Sequence, residues 1–395
     1  MRVLIVGAGP AGLYLGYLIR RQQPDAAVRI VEQNPPDSTF GFGVVFSERA
    51  LEFLREDDGE TYDLITPAME TWTDLTVVHR GERVRIDGIG FAAIGRLELL
   101  RLLRRRTASA GVAPEFGRAI SSREELAGYD LVVGADGVNS FVRACHADRF
   151  GTTLTHLGNR FAWYGTTQGF DTLTQTFVAT EAGHFNAHHY RHAPGMSPPG
   201  RPKGESRARE RGGSPISTFV FECDPATWER GGFRSLDDAA TIARCGEVFA
   251  GTLDGHALVS NRSVWRSFPI VRNERWSVDN VVLVGDALHT AHFSIGSGTR
   301  LAMEDVIALA LALRDHPRDV RDALAAYEAA RRPIVAKLVA AAGASGEWYE
   351  RFPEHMRLPP WEFAMSYIQR SGRIDRERLR KLSPRFVAGY EAATQ

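Results

Sequence analysis

The chain has 395 residues, 44% apolar and 24% charged, ordinary proportions for a globular protein long enough to bury more than one sizeable core. Its 48 basic and 48 acidic residues cancel, so no whole-chain field draws it to nucleic acid or to a membrane surface. No run of about 18 apolar residues offers a transmembrane helix. The three cysteines, Cys145, Cys223 and Cys245, lack metal-ligand spacing and fit reduced thiols of a cytoplasmic protein.

In chain order, Arg2–Val6 is a short apolar run that suits a parallel strand buried on both faces. The run is too short and too soon interrupted by glycine to read as a signal peptide. The turn Gly7-Ala8-Gly9-Pro10-Ala11-Gly12 follows, and "LYLGYLIRRQ" then carries apolar residues at helical spacing. "AVRIVEQ" is a second strand, ending at Glu32 and Gln33. In such a β-α-β unit the first glycine allows the tight turn, the second lets backbone approach a pyrophosphate, and the third lets helix and strand pack closely. The helix N-terminus favours phosphate charge, and Glu32, twenty residues after Gly12, can accept hydrogen bonds from a ribose. The expectation is a dinucleotide site. No second glycine turn of this kind follows a strand downstream.

"FGFGVVFS", which holds Gly43, Val45 and Phe46, reads either as a mobile, glycine-hinged loop or as a fixed bend. "GRLELLRLLRRRTASAG" is an amphipathic helix beginning at Arg96, and "YDLVVGADG" is a buried strand running into a turn with Asp136 and Gly137. From about Gly158, alternating aromatic and β-branched residues in "RFAWYGTTQ", "TQTFVATEAGHFNAHHYRH" and "ISTFVFECD" predict antiparallel strands. Residues 197–216 are dense in Pro, Gly and Arg and cannot bury enough surface to offset their ordering entropy, so a flexible insertion is expected there. "NVVLVGDA" returns to the buried-strand pattern and runs into "GDALHTAHFSIGSGTRLAMED"; helices fill the remainder. This divides the chain into a dinucleotide-binding domain (1–70, 95–157 and 276–345), a β-sheet domain (71–94 and 158–275) and a C-terminal helical segment (346–395). His184, His188, His189 and His192 have no carboxylate nearby in sequence, and His188 and His189 face opposite sides of a strand, so no metal site is expected.

Three motifs taken together, "GAGPAG", "GADGVNSFVR" and "GDALH…GSG", resemble in order and spacing the single-component FAD-dependent aromatic hydroxylases of the para-hydroxybenzoate hydroxylase type, over roughly residues 1–345. "FGFGVVFS", "WYGTTQGFD" and "HFSIGSGT" are similar to the subgroup containing salicyloyl-CoA 5-hydroxylase, 2-aminobenzoyl-CoA monooxygenase and a hydroxylase of violacein biosynthesis. The resemblance implies an α/β fold: a Rossmann-like FAD-binding domain, an interleaved and mostly antiparallel substrate sheet, and C-terminal helices. It implies FAD as cofactor, NADH or NADPH as transient electron donor and O2 as co-substrate, with hydroxylation through a C4a-hydroperoxyflavin. The implied cofactor residues beyond the first turn are Glu32 and Gln33 after the second strand, Gly43, Arg96 near the phosphates, Asp136 and Gly137 with Arg143 in the middle motif, Asp286 on the ribitol, and Gly296, Gly298 and Thr299 against the flavin ring. Two positions depart from the wider family. Phe293 replaces a usual proline, as in the subgroup, and Arg300 stands where asparagine is common.

Since the cofactor carries the hard chemistry, the protein must hold a ring close to the flavin and exclude water, and no catalytic triad is expected. His292, His188 and Tyr190 are the candidate polar residues at the reacting ring. Val45, Phe46, Trp163, Tyr164, Gln168, Phe221, Glu222, Phe293 and Ser294 are candidates to surround it, or else ordinary sheet residues. The expected substrate is an aromatic small molecule, foremost a CoA thioester such as salicyloyl-CoA. The alternatives are a 2-aminobenzoyl thioester, a carrier-protein-bound aryl group, a free indole or aromatic acid, and a non-hydroxylating reductase or oxidase. A cytoplasmic monomer or homodimer is expected, with no nucleic-acid or membrane partner. The basic insertion either screens the phosphates of a CoA or carrier-protein arm or is a solvated loop.

Overall fold

A computed structural model describes residues 1–39, 41–47, 51–193 and 216–395. The expected insertion at 197–216 lies outside the described residues except for Ile216.

Strand Arg2–Val6 sits near the middle of a six-stranded sheet. It pairs in parallel with Ala27–Glu32 on one side and Leu131–Gly134 on the other. Glu115–Phe116 and Val281–Leu283 extend the parallel run, and Ser277–Val278 closes one edge as an antiparallel hairpin. Val3, Leu4 and Ile5 have no exposed surface, because helices cover both faces of a parallel sheet. Helix Pro10–Gln22 packs on helices Arg96–Ser109 and Gly298–Asp315, burying Leu13, Leu99, Leu103 and Leu301 in one cluster with the sheet.

The second large sheet has eight strands and is antiparallel throughout, apart from the parallel pair Leu75–His79 with Leu173–Thr180. Its two-residue side-chain period sorts the strands onto two faces. On one, Tyr164, Phe185, Phe219 and Phe221 form a closed aromatic core with Phe233 and Phe249 from the neighbouring short helices and turns. On the other, Leu75, Val77, Leu173 and Phe177 meet the C-terminal helices. A small sheet of Gly43–Ser47, Phe91–Gly95 and Glu70–Trp72 lies between the two systems in the chain. Residues 43–47 are therefore not a mobile loop. Val44, Val45 and Phe46 are strand formers and pair in register with Ile94, Ala93 and Ala92.

Helix Val320–Glu350 runs unbroken for 31 residues through Pro333. Leu324, Tyr327 and Val335 belong to the first core, whereas Trp348 and Tyr349 belong to the second. The expected division at 345/346 thus falls inside one helix. Helices Pro360–Gln369 and Pro384–Ala393 then cover strands 75–79 and 82–86. Asp87 holds this cover down by accepting from the Phe386 amide at 2.9 Å. No helix among the described residues is long and apolar enough to cross a membrane.

Candidate active site

The three glycine motifs converge, and the reason lies in what a methyl group would meet at each. Gly7 has φ +104°, and a Cβ there would sit 2.3 Å from the Ala135 carbonyl oxygen of the middle motif. A Cβ at Gly12 would lie 2.0 Å from the Gly7 oxygen. Gly285 lies against Ala11 and Ala302, which brings the late motif onto the first turn of helix 10–22. Arg143 completes the junction, donating from Nη1 to the Ala287 carbonyl at 2.9 Å and from Nη2 to the Val138 carbonyl at 2.6 Å.

Gly9 is different. Its φ is −72°, and a Cβ there would meet no protein atom within 4 Å. Nothing in the chain requires glycine at this position, yet it opens a 13-residue helix that begins with Pro10 and has no side-chain N-cap. Open space before uncapped helix N–H groups is the form of an anion site. Gly298 repeats the pattern: open space at its Cβ, and no side-chain cap on the helix it begins. Glu32 closes the turn, with one carboxylate oxygen accepting from Ala8 N and the other from Asn34 N, both at 2.9 Å. Gln33 beside it is exposed. Asp136 accepts from Val142 N through Oδ2, while its Oδ1 is buried without a partner; Gly137, with φ +76°, faces open space.

Arg96 and Asp286 mark the wall of a cleft. Both expose side-chain surface, yet desolvation is the largest influence on each, lowering the Arg96 guanidinium and raising the Asp286 carboxyl, and each is partly offset by the other's charge. These features fit the expected FAD: open space at Gly9 before an uncapped helix, an accessible arginine and carboxylate within each other's field, and a second uncapped helix start at Gly298 and Thr299. His289, by contrast, faces inward. Its Nε2 bonds Asp305 at 2.8 Å, and Asp305 also accepts from Arg331 Nε at 3.0 Å, which fastens the late loop to both long helices.

The late loop lies against strand 43–47: a Cβ at Gly296 would be 3.1 Å from the Val45 carbonyl oxygen. Tyr190 Oη donates to the Gly43 carbonyl at 3.0 Å, and Gly43 has no room for a side chain beside His192. Tyr190 therefore fixes this strand to the large sheet.

Strand register gathers the remaining candidates. Directly opposed residues share a face. One row across the sheet reads Trp163, Val220, His188, Gln175, and the next reads Phe161, Glu222, Asn186, Phe177. Phe293 packs on Phe161 and Trp163 at centroid distances of 5.1 and 5.4 Å, so the late loop faces these rows. His292 stacks on Phe293 at 4.3 Å and lies 5.8 Å from Tyr349. Buried polar atoms without partners concentrate here: both ring nitrogens of His188, Glu222 Oε2, Gln175 Nε2, Asn186 Oδ1, Trp163 Nε1 and Arg370 Nε. Burial pushes His188 and His292 down to about 3, with the nearby Arg370 guanidinium adding to the effect, so both rings are neutral. Burial lifts the Glu222 carboxyl to about 8, against a stabilising bond from Asn159 Nδ2 at 2.9 Å and with a further push upward from Glu350.

Four candidates do not join this group, and the strand period explains three of them. Phe221 adjoins Glu222 and so points the other way, into the aromatic core with Phe185 and Phe249. Tyr164 shares that core. Phe46 likewise turns from Val45 into the core of the parallel sheet. Gln168 lies past the end of its strand, its backbone bonded to Thr166 and Ser217. Ser294 is buried beside His292. Sequence reasoning missed Phe161, Gln175 and Asn186, which the hairpin register would have revealed. It also missed Tyr349 and Arg370, which arrive from the C-terminal helices with no motif to mark them. Among the described residues, no group of three His, Cys, Asp or Glu side chains is placed to hold a metal ion.

The parallel sheet with its glycine turn, the late loop and the aromatic-walled sheet face together define a flavin-dependent oxygenase. The sequence profile of the FAD binding domain family matches residues 108–342, more than half of the chain, and that of lycopene cyclase protein matches residues 2–189. The chain belongs to the FAD binding domain family and is a flavin-dependent aromatic monooxygenase. FAD is its cofactor, and NAD(P)H and O2 are the co-substrates typical of such enzymes. It is 39% identical over 381 residues to a salicyloyl-CoA 5-hydroxylase of Streptomyces sp, covering 94% of this chain and 70% of that protein. It is 36% identical over 354 residues to 3-hydroxy-4-methyl-anthranilyl-[aryl-carrier protein] 5-monooxygenase of Streptosporangium sibiricum, covering 90% of each. The crystal structure of P. aeruginosa PqsL in complex with 2-aminobenzoylacetate shares the fold, with a TM-score of 0.64 at 23% identity, covering 90% of this chain and 98% of that one.

Proposed function

We propose that this enzyme hydroxylates the ring of an aromatic acyl thioester, with 5-hydroxylation of salicyloyl-CoA as the leading case. The observation that carries the reading is the set of unpartnered polar atoms on one face of the large sheet, walled by Phe161, Trp163 and Phe293. Buried polar groups normally have partners, and a pocket of aromatic walls with a few convergent donors and acceptors suits a substituted ring. The acyl-thioester names of the two curated relatives support the substrate class.

Bound FAD supplies the redox chemistry with NAD(P)H and O2. The aromatic wall orients the ring and excludes water. His188, neutral and with both ring nitrogens free, offers one N–H and one acceptor nitrogen, and His292, neutral, offers one ring N–H, to ring substituents and the acyl group. Glu222, protonated at pH 7, donates from a carboxyl that would otherwise place a charge in the pocket. Asp286 and Arg96 would hold the cofactor's polar chain, and Glu32 its ribose.

The test follows NADH and NADPH oxidation, with product and H2O2 quantified, in the presence of salicyloyl-CoA, 2-aminobenzoyl-CoA, the matching carrier-protein-bound aryl groups, the free acids and tryptophan. Stimulation by a thioester with ring product formed is expected. Equal stimulation by the free acid would defeat the thioester assignment, and H2O2 alone with every ring compound would defeat hydroxylation.

A further inference from the structure

His292 is fixed by a short chain of hydrogen bonds that originates outside the late loop. It is the N-cap of the single turn Phe293–Ile295, and its Nδ1 accepts from the Ser294 backbone N–H at 3.4 Å. The same Nδ1 lies 2.8 Å from Ser294 Oγ, which lies 2.7 Å from Ser345 Oγ on helix Val320–Glu350. All three side chains are buried, Ser345 completely.

The direction of the chain follows from what each atom accepts. A nitrogen that receives a backbone N–H uses its lone pair and carries no proton. Ser294 Oγ must then donate to Nδ1 rather than receive from it. Ser345 Oγ bonds no other acceptor among the described residues, so its proton goes to Ser294 Oγ. The ring is neutral, because burial and the Arg370 guanidinium, which donates to the Ser294 carbonyl at 2.8 Å, oppose a second proton. The one ring proton is left on Nε2.

We propose that Ser345 is a positioning residue which, through Ser294, holds His292 in the tautomer protonated on Nε2, so that the late loop presents a fixed neutral N–H donor and never a base. The hydrogen-bond chain stands on its own; the use of the donor, toward the acyl oxygen of the substrate, rests on the function proposed above.

The test is 15N NMR of histidine-labelled, FAD-loaded enzyme, with the His292 signals identified by their loss in His292→Gln. Wild type should show Nδ1 unprotonated and Nε2 protonated from pH 5.5 to 8.5. In Ser345→Ala the ratio of the two tautomers should fall about 3- to 10-fold, the worth of one hydrogen bond, and Ser345→Thr should restore it. Ser345→Cys, which nearly keeps the volume and weakens the donor, should fall between, and it carries the test if the alanine variant loses FAD or fold. A protonated Nδ1 in wild type, or the wild-type ratio in both the alanine and cysteine variants, overturns the proposal. None of these readings needs a substrate, so failure of the thioester assignment leaves them intact. Where a ring substrate is turned over, the fraction of NADH electrons reaching product should fall severalfold in Ser345→Ala with little change in NADH oxidation, whereas a merely structural serine would lower both together.

Discussion

The proposed cofactor cleft and the proposed pocket on the sheet face are built on opposite plans. In the cleft, backbone does the work: Gly7 and Gly12 have other backbone in the space of a side chain, whereas Gly9 and Gly298 leave open space at the start of a helix. In the pocket, side chains from strands 152–166, 173–180, 183–191 and 217–223 converge with the late loop and the C-terminal helices, and many of their polar atoms have no partner among the described residues. A backbone site is defined by a local run of residues; a side-chain site exists only after the sheet has registered.

The largest effects should come from the glycines, and they separate packing from ligand space. Gly12→Ala places a methyl 2.0 Å from a backbone oxygen and should abolish soluble folded protein or cost several kcal/mol, about 3–5. Gly9→Ala meets no protein atom, so it should fold with an unchanged melting temperature as apoprotein yet bind FAD at least about tenfold more weakly, read by flavin fluorescence titration. A Gly9→Ala protein that binds FAD as wild type does would break the contrast. Phe221→Ala comes next, with a loss of about 3–5 kcal/mol in denaturant unfolding, since it empties an aromatic core. Trp163→Leu should do the reverse, changing substrate KM severalfold while leaving stability within about 1 kcal/mol, because Trp163 is half-buried beside the pocket.

That pair also shows what the sequence could and could not disclose. The glycine turn, Glu32 and the late Asp286 loop were legible because each is a local run whose spacing is set by backbone geometry. The alternation of the middle segment was legible as strands, but the face on which each residue falls was not settled without register. Phe221 and Glu222, or Val45 and Phe46, cannot both reach one pocket, and only the pairing decides which does. Tyr349, Arg370 and Ser345 were invisible for another reason: they sit in helices whose pattern reports only packing.

Smaller effects come from titration. His188 and His292 are held well below the ordinary histidine value in the folded chain. The unfolded chain therefore binds more protons between about pH 6.5 and 3, so their contribution to stability is complete above about 6.5 and is lost as pH falls through that window. Melting temperature should drop on acidification below 6.5, and His188→Gln should flatten part of the slope. Glu222 runs the other way. Its folded value of about 8 exceeds the unfolded one, so stability declines as pH rises from about 4.5 through 8. Product yield per NADH should decline over the alkaline half of that range, as a carboxylate enters the pocket, and Glu222→Gln should remove the dependence.

The most direct measurement is the titration of oxidised, FAD-loaded enzyme with salicyloyl-CoA, followed by the flavin absorbance, in wild type, Glu222→Gln and His188→Ala at pH 7. The account predicts saturable spectral change in wild type, with Kd raised about tenfold or more in at least the His188 variant while FAD content holds. Identical Kd values in all three proteins, or no spectral change in wild type, would contradict the assignment of this sheet face as the substrate site.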